Sequence, residues 1–229
     1  MCCILNIETS TPVCSVALAL HGDVLFNKEH NESTSHASLL GTYVDEAVRY
    51  AGENGHNLDA VAVSAGPGSY TGLRIGISEA KGLCYGLNIP LIAVPSLKII
   101  AHTAILSGID ADYYCPMIDA RRMEVYAAIY DRHLHEIRET NADVVDEVVY
   151  ASYLEHGKMA FFGNGAAKCK TILSSPNAIF LDDIYPLASG MVLLSEKAYL
   201  NRELEDVAYF EPFYLKEFVA IVAKNKVIQ

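Results

Sequence analysis

Short apolar runs alternate with helical stripes along the first half of the chain. Ile4 to Glu8 and Ser15 to Leu20 are β-rich runs separated by a Thr9-Ser10-Thr11-Pro12 turn. His21-Gly22-Asp23 then turns into a run from Val24 to Asn27, which predicts three antiparallel strands in a meander. The polar stretch Asn31-Glu32-Ser33-Thr34-Ser35 supplies N-cap candidates for a helix from Ala37 to Ala51, closed by Gly52. Next come a buried strand (Ala60 to Ser64), a glycine-rich loop, a helix from Thr71 to Tyr85 and a strand from Leu91 to Val94. A strand, helix, strand run of that length implies a right-handed parallel crossover. A third helix starts at Ser96, after Pro95, and runs to Leu106.

The pattern restarts after Gly108 to Asp112, which divides the chain into an N-terminal lobe, residues 1–108, and a smaller C-terminal lobe, residues 109–229. Tyr113 to Ile118 and Val125 to Tyr130 read as strands around the Asp119-Ala120-Arg121-Arg122 turn, followed by a polar stretch to Asp143. Met159 to Phe162 is another strand, and Gly163-Asn164-Gly165 is expected to open a helix through Leu173. A long helical pattern covers Leu187 to Leu204, and the tail from Tyr209 to Leu215 looks extended. Two α/β lobes are implied, the second with the smaller and less regular sheet.

Composition narrows the partners. With 17 Lys plus Arg against 28 Asp plus Glu, the 229-residue chain carries a formal charge of -11. Such a chain repels a polyanion, so direct binding of nucleic acid, whether RNA or DNA, is not expected. No run of about 18 apolar residues is present, which excludes a membrane helix. The six cysteines (Cys2, Cys3, Cys14, Cys84, Cys115, Cys169) form no C-x-x-C pair and read as buried thiols of a reducing cytoplasm.

The segment richest in candidate chemistry is Ser64-Ala65-Gly66-Pro67-Gly68-Ser69-Tyr70-Thr71-Gly72-Leu73-Arg74-Ile75-Gly76, between a strand and a helix. Its glycines permit close backbone approach, and the helix N-terminus offers N–H groups to an anion. A P-loop requires G-x-x-x-x-G-K-[ST] and is absent, and a dinucleotide fingerprint from Gly66 and Gly68 fails at Thr71. An anion site formed by Gly66, Gly68, Ser69, Thr71 and Arg74 therefore stands beside a plain packing turn as alternatives. Thr9, Ser10 and Thr11 offer a second hydroxyl-bearing turn, with an ordinary Ser/Thr turn as its alternative.

Ile4-Leu5-Asn6-Ile7-Glu8-Thr9-Ser10-Thr11, the Ser64 to Gly76 loop, Leu91-Ile92-Ala93-Val94-Pro95-Ser96-Leu97, Asp119-Ala120-Arg121 with Glu124-Val125-Tyr126, and Pro212-Phe213-Tyr214-Leu215 together resemble the TsaB (YeaZ) family. The resemblance implies a two-lobed actin/Hsp70-like (ASKHA, ribonuclease H-like) α/β fold with a mixed sheet in each lobe. It also implies a non-catalytic cytoplasmic subunit needed for N6-threonylcarbamoylation of a tRNA adenosine. Such a subunit dimerises with the catalytic paralogue TsaD, assembles with the ATPase TsaE and forms a homodimer when alone. No cofactor of its own is implied, ATP or ADP entering only in the assembled complex. Glu8 stands where this family more often has Asp. The paralogue's metal-binding His-x-x-x-His motif falls on Ser96 and Ile100, neither of which replaces imidazole.

Other residues carry weaker signals. His133, His135 and Asp131 could gather at a surface metal site, though alternating polar residues are ordinarily just solvated. His36 begins a helix and reads as packing near the glycine loop, and Cys84 reads as a buried thiol. No H-E-x-x-H peptidase motif occurs. On the first helix Leu40, Val44, Ala47, Val48 and Ala51 form a core stripe, and Leu39, Tyr43 and Tyr50 form a second one beside it. On the next helix Gly72, Gly76, Gly82 and Gly86 keep the surface low, at about 1 kcal/mol each relative to Ala, so that with Leu39, Tyr43 and Tyr50 they form a candidate helix–helix partner interface, the alternative being that all of them belong to one monomer core. An autonomous ATPase or phosphotransferase is the alternative function, with a glycoprotease-like peptidase third.

Overall fold

The computed structural model describes residues 2–31 and 36–216; the N-cap candidates from Glu32 to Ser35 lie outside the described residues. The first sheet begins with the meander β1 (Cys3–Glu8), β2 (Cys14–Leu20) and β3 (Asp23–His30), all antiparallel. Helix α1 (His36–Glu53) leads to β4 (Ala60–Ser64), and α2 (Tyr70–Leu87) leads on to β5 (Leu91–Val94). Both later strands add in parallel, in the order β3-β2-β1-β4-β5. All residues of β1 and β4 are buried, because helices cover both faces, so these central strands read as continuous apolar runs.

The second sheet repeats this plan. Its strands β6 (Tyr113–Asp119), β7 (Glu124–Tyr130) and β8 (Glu136–Val144) form an antiparallel meander. The strands β9 (Met159–Phe162) and β10 (Ala178–Phe180) then add in parallel, giving the order β10-β9-β6-β7-β8. Two mixed sheets of this ribonuclease H-like order make the two-lobed α/β fold of the ASKHA type. Among the described residues each sheet has five strands, so the second is not the smaller one that the hydropathy pattern predicts.

Helix α3 (Ser96–Leu106) lies between the sheets. Its Ile99 joins Ile4, Ala62 and Ile92 of the first, while Leu97, Ile100 and Ala104 pack with Tyr114, Ile118 and Phe162 of the second. Helix α5 (Ala188–Asn201) crosses back to cover the first sheet, its Met191 and Ala198 lying against Ile4 and Ile92. Close packing between α5 and α3 needs Gly190, where an added Cβ would lie 2.6 Å from Thr103 Oγ1.

Three differences from the sequence pattern have physical causes. Strand β8, hidden in the polar stretch before Asp143, is an edge strand with mostly solvated side chains, held by the Arg138–Asp143 ion pair and by the Tyr150 hydroxyl, which donates to Asp143 Oδ2 at 2.6 Å. The helix expected from Gly163 to Leu173 is only a single 3-10 turn at Ala167–Cys169. Gly163, at φ +96°, and Gly165 instead carry the chain tightly behind β6, against the backbone of Met117 and Ile118. The last helix stops at Asn201 because Arg202 adopts a left-handed cap. The short elements α4 (Ala151–His156) and β10 have no counterpart in the pattern, while the tail from Tyr209 to Leu215 carries no helix and, among the described residues, joins neither sheet.

Candidate functional site

Both candidate anion loops lie at the C-terminal edge of the first sheet, where β1 and β4 end side by side. They are packed on each other. Ser69 N donates to Ser10 O at 2.7 Å, and the Thr9 hydroxyl donates to Gly72 O at 2.8 Å. Ser69 Oγ caps α2 by accepting from Gly72 N at 3.2 Å. A Cβ at Gly68 would strike Ser10 O, one at Gly72 would strike Thr9 O, and one at Gly76 would strike Thr9 Oγ1. These glycines thus let α2 and its loop rest directly on the Thr9–Thr11 turn.

Ser96 fixes the other side of the loop: its Oγ accepts from Gly66 N at 3.2 Å, and its own N–H donates to Gly66 O at 2.9 Å. Ile100 is fully buried among apolar side chains. Ser96 and Ile100 are therefore both built into packing.

Glu8 sits beneath the turn with no exposed surface. Its Oε1 accepts from Ser10 N at 2.5 Å, while Oε2 has no hydrogen-bond partner among the described residues. Burial pushes the carboxyl up to about 7, against opposing hydrogen bonds from Ser10. The sign of the pH effect follows. An unfolded glutamate ionises near 4.5, whereas the folded one keeps its proton to about 7, so this group's contribution to stability is full below 4.5 and lost as pH rises through 7. Glu8→Gln is expected to remove that slope and to raise stability by up to about 3 kcal/mol above neutrality. Urea unfolding at pH 5 and pH 8 checks this; parallel losses in both proteins would contradict it.

Between the lobes lies a cleft of about 730 Å³. Ser10, Gly68, Ser69 and Thr71 line one wall, and Asp119, Arg121 and Asn164 line the other. The second wall is held by Asn164, whose Oδ1 accepts from Asp119 N at 3.0 Å, and by the Lys168–Asp119 ion pair. The tail crosses the mouth. Lys81 Nζ donates to Ala208 O and Phe210 O, and Phe213 N donates to Ala65 O at 2.8 Å. Tyr214 packs on Tyr70 with ring centroids 5.0 Å apart, and Lys216 pairs with Glu124 of the second lobe. Arg74 is engaged by this strap: its guanidinium lies 4.2 Å from the Tyr70 centroid, and Nε donates to the Tyr214 hydroxyl at 3.1 Å. Of the candidate anion residues, Thr9 and Ser69 thus spend their hydroxyls on α2, Gly66 and Gly68 serve close packing, and Arg74 is bound by the tail. The second wall and the strap carry no anion-loop pattern; their signals in the sequence are the Asp119-Ala120-Arg121 turn and Pro212 to Leu215.

The candidate interface residues separate into two sets. Gly72 and Gly76 face inward on Thr9 and leave the interface, a correction to the reading of four equivalent glycines. Gly82 and Gly86 have open space around them, as do Gly41 and Gly52 on α1. Tyr85, 86% exposed, lies on α2 between Gly82 and Gly86. Tyr43 and Tyr50 are half-buried against the chain's own core, Tyr50 with Phe26 at 5.9 Å, and Leu39 is half-buried.

His36 Nε2 contacts Val13 O at 3.1 Å, which ties α1 to the start of β2. Asp131 closes the turn between β7 and β8 by accepting from the backbone of His133 and His135, and it pairs with the His135 ring at 2.9 Å. Cys84 is buried, and that burial pushes its thiol up to about 11.

Residues 24–224 match the family model described as TsaD, tRNA N6-adenosine threonylcarbamoyltransferase. The tRNA threonylcarbamoyladenosine biosynthesis protein TsaB of Escherichia coli is 31% identical, over 95% of this chain and 96% of that protein. TsaB of Bacillus subtilis is 29% identical over 93% of each. The structure of YeaZ from Pseudomonas aeruginosa superposes with a TM-score of 0.81 at 27% identity, covering 94% of this chain and all of that one.

Proposed function

Because the chain belongs to the TsaB (YeaZ) family of tRNA threonylcarbamoyladenosine biosynthesis, we propose that it serves there as a cytoplasmic, non-catalytic scaffold that docks α1 and α2 on a TsaD-type catalytic paralogue. The observation that carries this reading is the outward face of the two helices. Gly41, Gly52, Gly82 and Gly86 have nothing within 4 Å of an added Cβ, so the chain's own packing gives no reason for them. A helical glycine costs about 1 kcal/mol relative to Ala, and a partner helix at close range would repay that cost.

The non-catalytic part of the proposal is supported by the cleft. Its phosphate-type turn and its glycine loop are bonded to each other, and Ser96 and Ile100 serve packing where the paralogue's metal-binding histidines would stand. Nucleotide would then be handled only in the assembled complex, together with a TsaE-type ATPase, and the isolated chain would form a homodimer through the same face. The net charge of -11 favours contact with tRNA through the partner.

Size-exclusion chromatography of the chain with and without the catalytic paralogue tests the docking. A 1:1 complex that forms at the expense of the homodimer is expected; independent elution of the two proteins would overturn it. Calorimetric titration of the isolated chain with ATP and Mg²⁺ is expected to give no turnover, whereas hydrolysis would favour the autonomous ATPase.

A further inference from the structure

At the far end of β1 from the cleft, three potential metal ligands converge from three elements. Cys2, His21 and Glu196 bring a thiol sulfur, an imidazole nitrogen and a carboxylate oxygen within 4.8 Å of one another. Sheet register creates the first contact. Cys3 pairs with Leu20, and His21 N donates to Cys2 O at 3.1 Å, so Cys2 and His21 face each other on the next rung. Side chains directly opposite in an antiparallel pair share a face. Here that face is the one covered by α5, where Cys2 lies with Ile4, Met191 and Ala198.

The third ligand is fixed by α5. Ser195 Oγ donates to the buried Asn6 Oδ1 at 2.6 Å, which sets the rotation of the helix and puts the neighbouring Glu196 over the turn between β2 and β3. Gly22 makes room for it: at φ +79°, an added Cβ would lie 2.9 Å from Glu196 Oε2. His21 itself holds φ +53°, an uncommon conformation for a residue with a side chain.

The spacing suits a small tetrahedral ion. Cys2 Sγ and Glu196 Oε1 are 3.5 Å apart. A metal about 2.3 Å from sulfur and about 2.1 Å from oxygen, with a tetrahedral angle between them, holds the two about 3.6 Å apart. His21 Nδ1 lies 3.4 Å from Cys2 N on an exposed turn, so the ring needs only a small movement to close on the same point. One thiolate, one imidazole and one carboxylate form a mixed set for a borderline ion, not a hard one.

We propose that Cys2, His21 and Glu196 form a site for a divalent ion of the Zn²⁺ type, with a fourth position open to water beside His21. The Cys2 thiol proton, which now faces Glu196, leaves to solvent when the ion binds. The site lies one strand length from the cleft, on the face of the first sheet opposite α1 and α2, and it is independent of the docking proposal.

Titration of the reduced full-length chain with Co²⁺, followed by Zn²⁺, tests the assignment. One equivalent of Co²⁺ is expected to give a thiolate-to-cobalt charge-transfer band and tetrahedral visible bands, both bleached by Zn²⁺. Cys2→Ser should abolish the charge-transfer band, and His21→Ala and Glu196→Gln should each weaken Co²⁺ binding at least about tenfold. His21 is exposed, so its variant carries the test even if Cys2→Ser folds poorly. No charge-transfer band in the parent chain, or a band unchanged by His21→Ala, would overturn the site.

Discussion

Gly72→Ala is expected to lower stability by about 4 kcal/mol, whereas the same replacement ten residues along the same helix is expected to raise it. At Gly72 the new methyl would meet the carbonyl oxygen of Thr9 and the Ser69 side chain, and the obstacle on the Thr9 side is backbone, which no rotamer change removes. Overpacking against backbone belongs to the large-effect class of substitutions. Gly68→Ala meets Ser10 O, Cβ and C in the same way and should behave alike. At Gly82 nothing lies within 4 Å, so alanine brings only its helix propensity, worth up to about 1 kcal/mol. In a chain of this size about 1 kcal/mol moves the midpoint by about 2–4 °C. Thermal melts should therefore show Gly72→Ala roughly 8–16 °C below the parent and Gly82→Ala slightly above it. Equal shifts in one direction would mean that the α2 glycines share one role, contrary to the packing described.

That contrast marks what the sequence conveys and what it withholds. The central strands were legible because β1 and β4 are buried on both faces and so appear as unbroken apolar runs such as Ala60 to Ser64. Strand β8 was not, because an edge strand written Glu-Ile-Arg-Glu-Thr-Asn-Ala-Asp-Val exposes most of its side chains and is held by pairing with β7. The glycines of α2 repeat at intervals that look alike on paper. Which of them face inward depends on where the Thr9 turn lands, and that is a tertiary fact. The same limit hid the strap, since Tyr214 meets Arg74 across 140 residues, and the Cys2–Glu196 contact, which spans 194.

The second large effect concerns the partner. Gly82→Arg adds a long cation to an exposed position with open space and a better helix former than glycine, so the fold should persist, with stability unchanged or raised by up to about 1 kcal/mol. On the proposed complex the same change should be severe. A side chain of that size cannot fit between helices that approach at glycine distance, and a buried unpaired charge is strongly destabilising. Tyr85, at 86% exposure on the same face, should act as an anchor, because aromatic side chains carry much of the energy of protein interfaces. Tyr85→Ala is therefore expected to weaken docking by about 2 kcal/mol or more, roughly thirtyfold.

Reconstituted tRNA modification tests the scaffold role most directly. The catalytic paralogue, the ATPase and tRNA are combined with the parent chain, with Gly82→Arg, or with no added chain, and threonylcarbamoyladenosine is counted. Full modification with the parent chain, and equally little with Gly82→Arg as with none, is the predicted result. Undiminished modification without the chain, or with the folded Gly82→Arg variant, would contradict it.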